Sequence, residues 1–135
     1  MTIVLRDHQP LAQDFMNREN EELARLLNEA EQSLLMGEAA MPHLLKLYDH
    51  CVKHFAHEEE EMQRHRFMPY TQHKAEHERV LAMFREQLQQ YETSGNVCPV
   101  LEFLLETVPD WFGQHLKRMD RVTAQFLSQQ KGDAA

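Results

Sequence analysis

Three pairs of residues carrying metal-binding donors sit at helix-like spacing in the chain. His54 and Glu58 are four residues apart, as are His73 and His77, and His115 is followed by Asp120 in the stretch HLKRMD. A step of four stacks two side chains on one helix face, one turn apart. Imidazole nitrogen combined with carboxylate oxygen suits iron, manganese, zinc or copper. A carboxylate also has two oxygens with which to bridge two metals. A single pair of this kind is commonplace on a solvated surface, but these three lie beside apolar neighbours. His54 precedes Phe55, His77 sits one turn before Leu81, and His115 follows Trp111 and Phe112. Burying so many polar groups without a partner would cost about 2 kcal/mol or more apiece. One buried metal site relieves that cost for all of them. The step from His115 to Asp120 turns through about 140° on an ideal helix. Those two reach one site only if it lies between their directions or if the helix is locally distorted.

Four amphipathic segments can be read to position these groups. The first covers about residues 11–36, with Phe15, Met16, Leu23, Leu26, Leu27, Ala30, Leu34 and Leu35 on its apolar stripe and Gly37 as its stop. The second covers about residues 39–65, with Pro42 in its first turn and Leu44, Leu47, Tyr48, Cys51, Phe55 and Met62 inward. The third opens near Pro69, runs to about Tyr91 and stops at residues 93–95. The fourth opens near Pro99 and runs to about Gln129, with a kink or short break expected at Pro109. Four such helices with short links predict an all-α, up-down-up-down four-helix bundle. The whole chain, 1–135, reads as a single domain: an N-terminal arm over 1–13, a helical bundle over about 14–129 and a frayed tail over 130–135.

Bulk properties narrow the function further. Only four glycines and five prolines occur in 135 residues, which favours helix. The formal charge is −8, and no predicted face carries a block of Lys or Arg, which argues against nucleic acid and anionic membranes as partners. No apolar run approaches the ~18 residues of a membrane span, and the N-terminus has no signal-like apolar stretch, so the cytoplasm is the expected compartment. Cys51 and Cys98 form no CxxC pair and are expected to be two buried, reduced thiols. His57, Glu59, Glu60 and Glu61 are expected on a solvated face, and His43, His50 and His65 at the surface or just behind the site. Tyr48, Trp111 and Phe112 read as core.

With these residues assembled, the sequence resembles the hemerythrins, in particular the bacterial single-domain ones. The resemblance is carried by His54-Phe55-x-x-Glu58-Glu59-x-x-Met62, by Pro69 ahead of His73-x-x-x-His77, and by Trp111-x-x-x-His115-x-x-x-x-Asp120. It spans about residues 15–127, and the five-residue step from His115 to Asp120 is itself a trait of the family. The resemblance implies a di-iron centre. One iron would take His73, His77 and His115, and the second would take His54 and a histidine of the first helix. Glu58, Asp120 and a solvent-derived oxo or hydroxo group would bridge them. It also implies dioxygen or a related diatomic or peroxide ligand at the second, less crowded iron.

The chain departs from that pattern in the first helix. Asn20 stands where the family places its histidine, on a stripe with Leu23 and Leu27. His8 lies twelve residues earlier, about 18 Å along a helix, and cannot substitute unless the arm folds back. Asn20 could bind metal weakly through its amide oxygen, or hold a water. Glu19 or Glu21 could step in, although each lies about 100° off the stripe. Alternatively, one iron alone remains on His73, His77 and His115. An altered second position would favour reactivity over reversible oxygen storage. Leu23, Leu27, Phe55 and Met119 are candidates for lining a dry pocket beside it. The functional classes are an oxygen-binding iron protein for carriage or sensing; an iron enzyme of peroxidase, oxidase or nitric-oxide-scavenging type that needs an external electron donor; and an iron storage or repair module.

Overall fold

The computed structural model describes residues 14–65, 70–115, 123–125 and 127–128, and all of its regular structure is helical. Helix α1 is Asp14–Leu35, α2 is Met41–Arg64 and α3 is Tyr70–Ser94. The next run is divided into α4 (Val97–Glu102), a π-helical turn (Phe103–Thr107) and α5 (Val108–His115). Residues 123–125 and 127–128 are helical too. The result is the all-α bundle expected from the periodicity, with α1 packed on α2, α2 on α3, and α3 on α4.

Each boundary has a local cause. Gly37 adopts φ +70°, and its N–H donates to Leu34 O while the Glu38 N–H donates to Ser33 O. These two bonds cap carbonyls that α1 would otherwise leave open. Gly95, at φ +69°, stops α3, and the Asn96 side chain then caps α4 by accepting from the Cys98 N–H. The stripe on α1 is narrower than expected. Leu34 is buried, but Leu35, one residue or about 100° further round, is 56% exposed.

Pro109 was expected to kink or break the fourth helix. The structure instead places a π turn immediately ahead of it, with the Val108 N–H reaching back five residues to Phe103 O. Proline lacks the N–H that would bond Leu105, and its ring crowds that carbonyl; widening the preceding turn accommodates both.

The buried stripes are chemically divided along their length. On α2 they run Leu44, Leu47, Cys51 and then His54, Phe55, Glu58, Met62. On α3 the order is reversed: His73 and His77 come first, then Val80, Phe84 and Leu88. On α5, Val108, Trp111 and Phe112 precede His115. Antiparallel packing therefore gathers hydrocarbon at one end and imidazoles at the other. The hydrocarbon end includes Leu34, Leu44, Leu47, Phe84, Phe103 and Leu104, with Phe84 edge-on to Phe103 at 5.0 Å. Each such side chain contributes about 1.5–3 kcal/mol by leaving water, so this end needs no metal to hold together. Cys51 is buried as expected, but Cys98 is exposed, because it sits in the first turn of α4 with its side chain outside the core. No described helix is long and apolar enough to cross a membrane.

Candidate metal centre

At the imidazole end, Glu58, His73, His77 and His115 are all buried and offer ligand atoms within 4.8 Å of one another. The carboxylate of Glu58 is the hub. Its Oε1 lies 3.3 Å from His73 Nε2 and 3.2 Å from His77 Nε2, and its Oε2 lies 3.0 Å from His54 Nε2. His115 Nε2 is 3.1 Å from His77 Nε2. Three imidazoles thus gather on one side of the carboxylate and one on the other.

What lies behind each ring sets which nitrogen faces inward. His54 Nδ1–H donates to Glu19 Oε2 at 2.5 Å, and His77 Nδ1–H donates to Glu59 Oε2 at 2.9 Å. His73 Nδ1 is 2.9 Å from Thr123 Oγ1, whose own hydroxyl is directed at Met62 Sδ. A hydroxyl that donates to sulfur accepts from the imidazole, so the His73 Nδ1 also carries the proton. With the Nδ1 positions protonated, the Nε2 lone pairs of His54, His73 and His77 point at Glu58. Metal-binding histidines are held in this way, through the N–H that does not ligate.

The same geometry leaves Glu58 without donors. It is fully buried, and neither of its oxygens accepts a well-aligned hydrogen bond. An anion surrounded by lone pairs is a costly arrangement that a cation resolves, so the residues present fit a metal ion. Burial pushes the Glu58 carboxyl up, and His54, His73 and His77, when protonated, turn charge and N–H groups toward it that outweigh burial and hold it well below the usual carboxylate range. Burial likewise raises the Glu19 carboxyl, but hydrogen bonds from His54 and His57 outweigh it and hold it low.

Aromatic walls fix the ring planes. Phe55 stacks on His77 at 3.9 Å, and Trp111 stacks on His115 at 4.4 Å while its Nε1–H donates to Glu76 Oε1 at 2.8 Å. A cavity of about 550 Å³, lined in part by Met83, Trp111 and His115, opens beside this second stack.

The structure thus brings together His54, Glu58, His73, His77 and His115. Asp120, like His8, Pro69 and Met119, lies outside the described residues. Two expectations are corrected. Glu59 is no solvated bystander, because it backs His77. His57 is 42% exposed, on the solvated face as expected, and donates to Glu19 Oε1 at 2.8 Å. Glu19 is well aimed, although at the rear of His54 rather than at its ligating face, and its backbone carbonyl also accepts from His50 Nε2 at 2.8 Å. Glu19 and Glu59 share a signature that could have found them: each is a glutamate next in sequence to an inward polar residue. Thr123 carried no such signal. Asn20 is buried on its stripe, 5% exposed, and its Oδ1 has no hydrogen-bond partner among the described residues.

Comparison with known proteins gives a consistent result. The family description Hemerythrin HHE cation binding domain matches residues 11–127. The chain is 34% identical to a bacteriohemerythrin of Aquifex aeolicus over 115 residues, 84% of this chain and 88% of that one. It is 35% identical to a bacteriohemerythrin of Ralstonia nicotianae over 63% of this chain and 61% of that one. It is 34% identical to a myohemerythrin of Sipunculus nudus over 57% of each chain. No solved structure matches. With a helical bundle, a buried His/Glu cluster and a family match spanning most of its length, the chain belongs to the hemerythrin family.

Proposed function

We propose that this protein binds dioxygen or a related small ligand at a non-haem di-iron centre. His73, His77 and His115 would hold one iron and His54 the other, with Glu58 and, as the family pattern implies, Asp120 as the carboxylates the two would share. The observation that carries this reading is the Glu58 carboxylate, fully buried, with Oε1 turned to two imidazoles and Oε2 to a third. That arrangement supports a bridging role for the carboxylate. Iron, when bound, supplies the electrons and the open coordination position that dioxygen needs. The chain's own groups do the rest. Glu58 offsets positive charge, Glu19 and Glu59 fix two rings and raise their basicity, and Phe55, stacked on His77, keeps bulk water from that ring.

The test is iron content per chain, paired with visible spectra of the reduced protein under nitrogen, in air and after deoxygenation. The expected result is a band that forms in air and reverses on deoxygenation, absent in Glu58→Ala and present in Glu60→Ala. Retention of no more iron by the parent than by Glu58→Ala would overturn the reading. The amide oxygen of Asn20, without a partner among the described residues, favours a second reading on the same residues. A loosely completed second position would admit peroxide or nitric oxide and turn it over with an external electron donor. Donor consumption without a reversible band identifies that outcome.

A further inference from the structure

The two sides of Glu58 are unequal. On the Oε1 side stand His73 and His77, with His115 next to His77; on the Oε2 side His54 is the one imidazole among the described residues. The flanking carboxylates do not make up the difference. Both oxygens of Glu19 are already engaged, one by His54 and the other by His57, and Glu21 is exposed. The α1 residue next to Glu19 in sequence is Asn20, buried, with an amide oxygen that has no partner among the described residues. A neutral amide oxygen is a hard, weak donor. Oxygen donors suit Mn(II) and similar hard cations, whereas imidazoles suit iron, zinc and copper.

We propose that the chain offers two metal positions of unequal chemistry: a nitrogen-rich position at His73, His77 and His115 that holds iron firmly, and an oxygen-rich, exchangeable position at His54 and Asn20 that accepts Mn(II) as well as Fe(II). This inference rests on the metal centre proposed above. Asn20 provides its Oδ1 to the second cation, which relieves the amide's isolation in the core. Glu19 acts as a positioning residue. Held behind His54, it keeps that ring's lone pair forward, so α1 contributes to the second position through one weak donor and one support. The centre is then suited to loading as a mixed iron–manganese pair, and its second cation is the one lost first.

The experiment uses the full chain, stripped of metal and handled without oxygen. Fe(II) is added to two equivalents, the protein is passed through a chelator-containing desalting column, and retained iron is counted. Mn(II) is then titrated into the product and followed by the electron paramagnetic resonance of the free ion. One equivalent of iron is expected to survive, and one equivalent of Mn(II) to lose its free-ion signal. Asn20→His should carry both irons through the column. Asn20→Asp, which adds a charged oxygen, should tighten Mn(II) binding, and Asn20→Ala should weaken it, each by about tenfold or more. A merely structural asparagine would not move in opposite directions in these two variants, whose folding is checked by circular dichroism. Retention of both irons by the parent, or equal Mn(II) affinity in parent, Asn20→Asp and Asn20→Ala, overturns the proposal. If not even one iron survives, the metal centre itself is refuted, which is a separate failure.

Discussion

Replacing Glu58 by glutamine should raise the stability of the metal-free protein and lower that of the metal-loaded one. The carboxylate is fully buried, no well-aligned donor serves either oxygen, and the inward nitrogens of His54, His73 and His77 bring lone pairs to within 3.0–3.3 Å. A buried group left unmatched in this way costs about 1–3 kcal/mol, and a charged one more. Glutamine removes the charge and presents two N–H donors to those lone pairs. A gain of about 1–3 kcal/mol is therefore expected without metal, a rise in midpoint of roughly 4–12 °C for a chain of this length. Metal reverses the order. A ligand at a hundredfold its Kd stabilises the folded state by about 2.7 kcal/mol, and only the parent binds it tightly. The assay is thermal unfolding by circular dichroism at about pH 8, above the ordinary imidazole range, once with chelator and once with Fe(II) under nitrogen. A metal-free Glu58→Gln variant that melts below the parent would refute the reasoning, because it would mean that N–H donors rather than lone pairs face the carboxylate.

Four further outcomes are expected. Glu59→Gln should lower metal affinity by about 10–100-fold by loosening His77, while Glu60→Gln, on the exposed side of the same helix turn, should leave it unchanged; a chelator competition measures both. Cys98 should react with a thiol reagent in the folded protein and Cys51 only in denaturant, because burial pushes the Cys51 thiol up to about 12 from 9.0. The folded state therefore keeps that proton where the unfolded chain has lost it, so the thiol's contribution to stability is complete below pH 9 and declines as pH rises toward 12; unfolding midpoints across that window, in parent and Cys51→Ala, test the sign. Gly37→Ala should cost about 1 kcal/mol from backbone strain alone, since a Cβ there meets nothing within 4 Å at φ +70°, and Gly37→Asn should cost less; chemical denaturation reads the difference.

Much of this was legible in the sequence, because burial leaves a periodic trace. Helix order, the apolar stripes and the five described ligand candidates follow from residues recurring every three or four positions. The supporting groups were harder to see. Glu19 and Glu59 lie about 100° off their stripes and look solvated until the rings they serve have been placed across the helix gap. Spacing gives the side on which a histidine lies but not which nitrogen it presents, and that choice decided the meaning of Glu58. Leu35 shows the opposite error, in which an apolar residue beside the stripe was counted as part of it. Pro109 announced a disturbance without its form, since a kink and a widened turn satisfy the same missing N–H.

That widened turn behaves like a one-residue insertion within the helical phase. Phe103 and Val108 are both buried although five residues apart, so everything after Thr107 is rotated relative to α4 by one extra step. Deleting a single residue between 103 and 107 would remove the extra step and swing His115 about 100° away from its cluster. A change of one residue in length would thus dismantle the centre without touching any ligand. The length of this short segment is therefore a coordinate of the metal site, and relatives that keep the ligands should be compared there by residue count before they are compared by residue type.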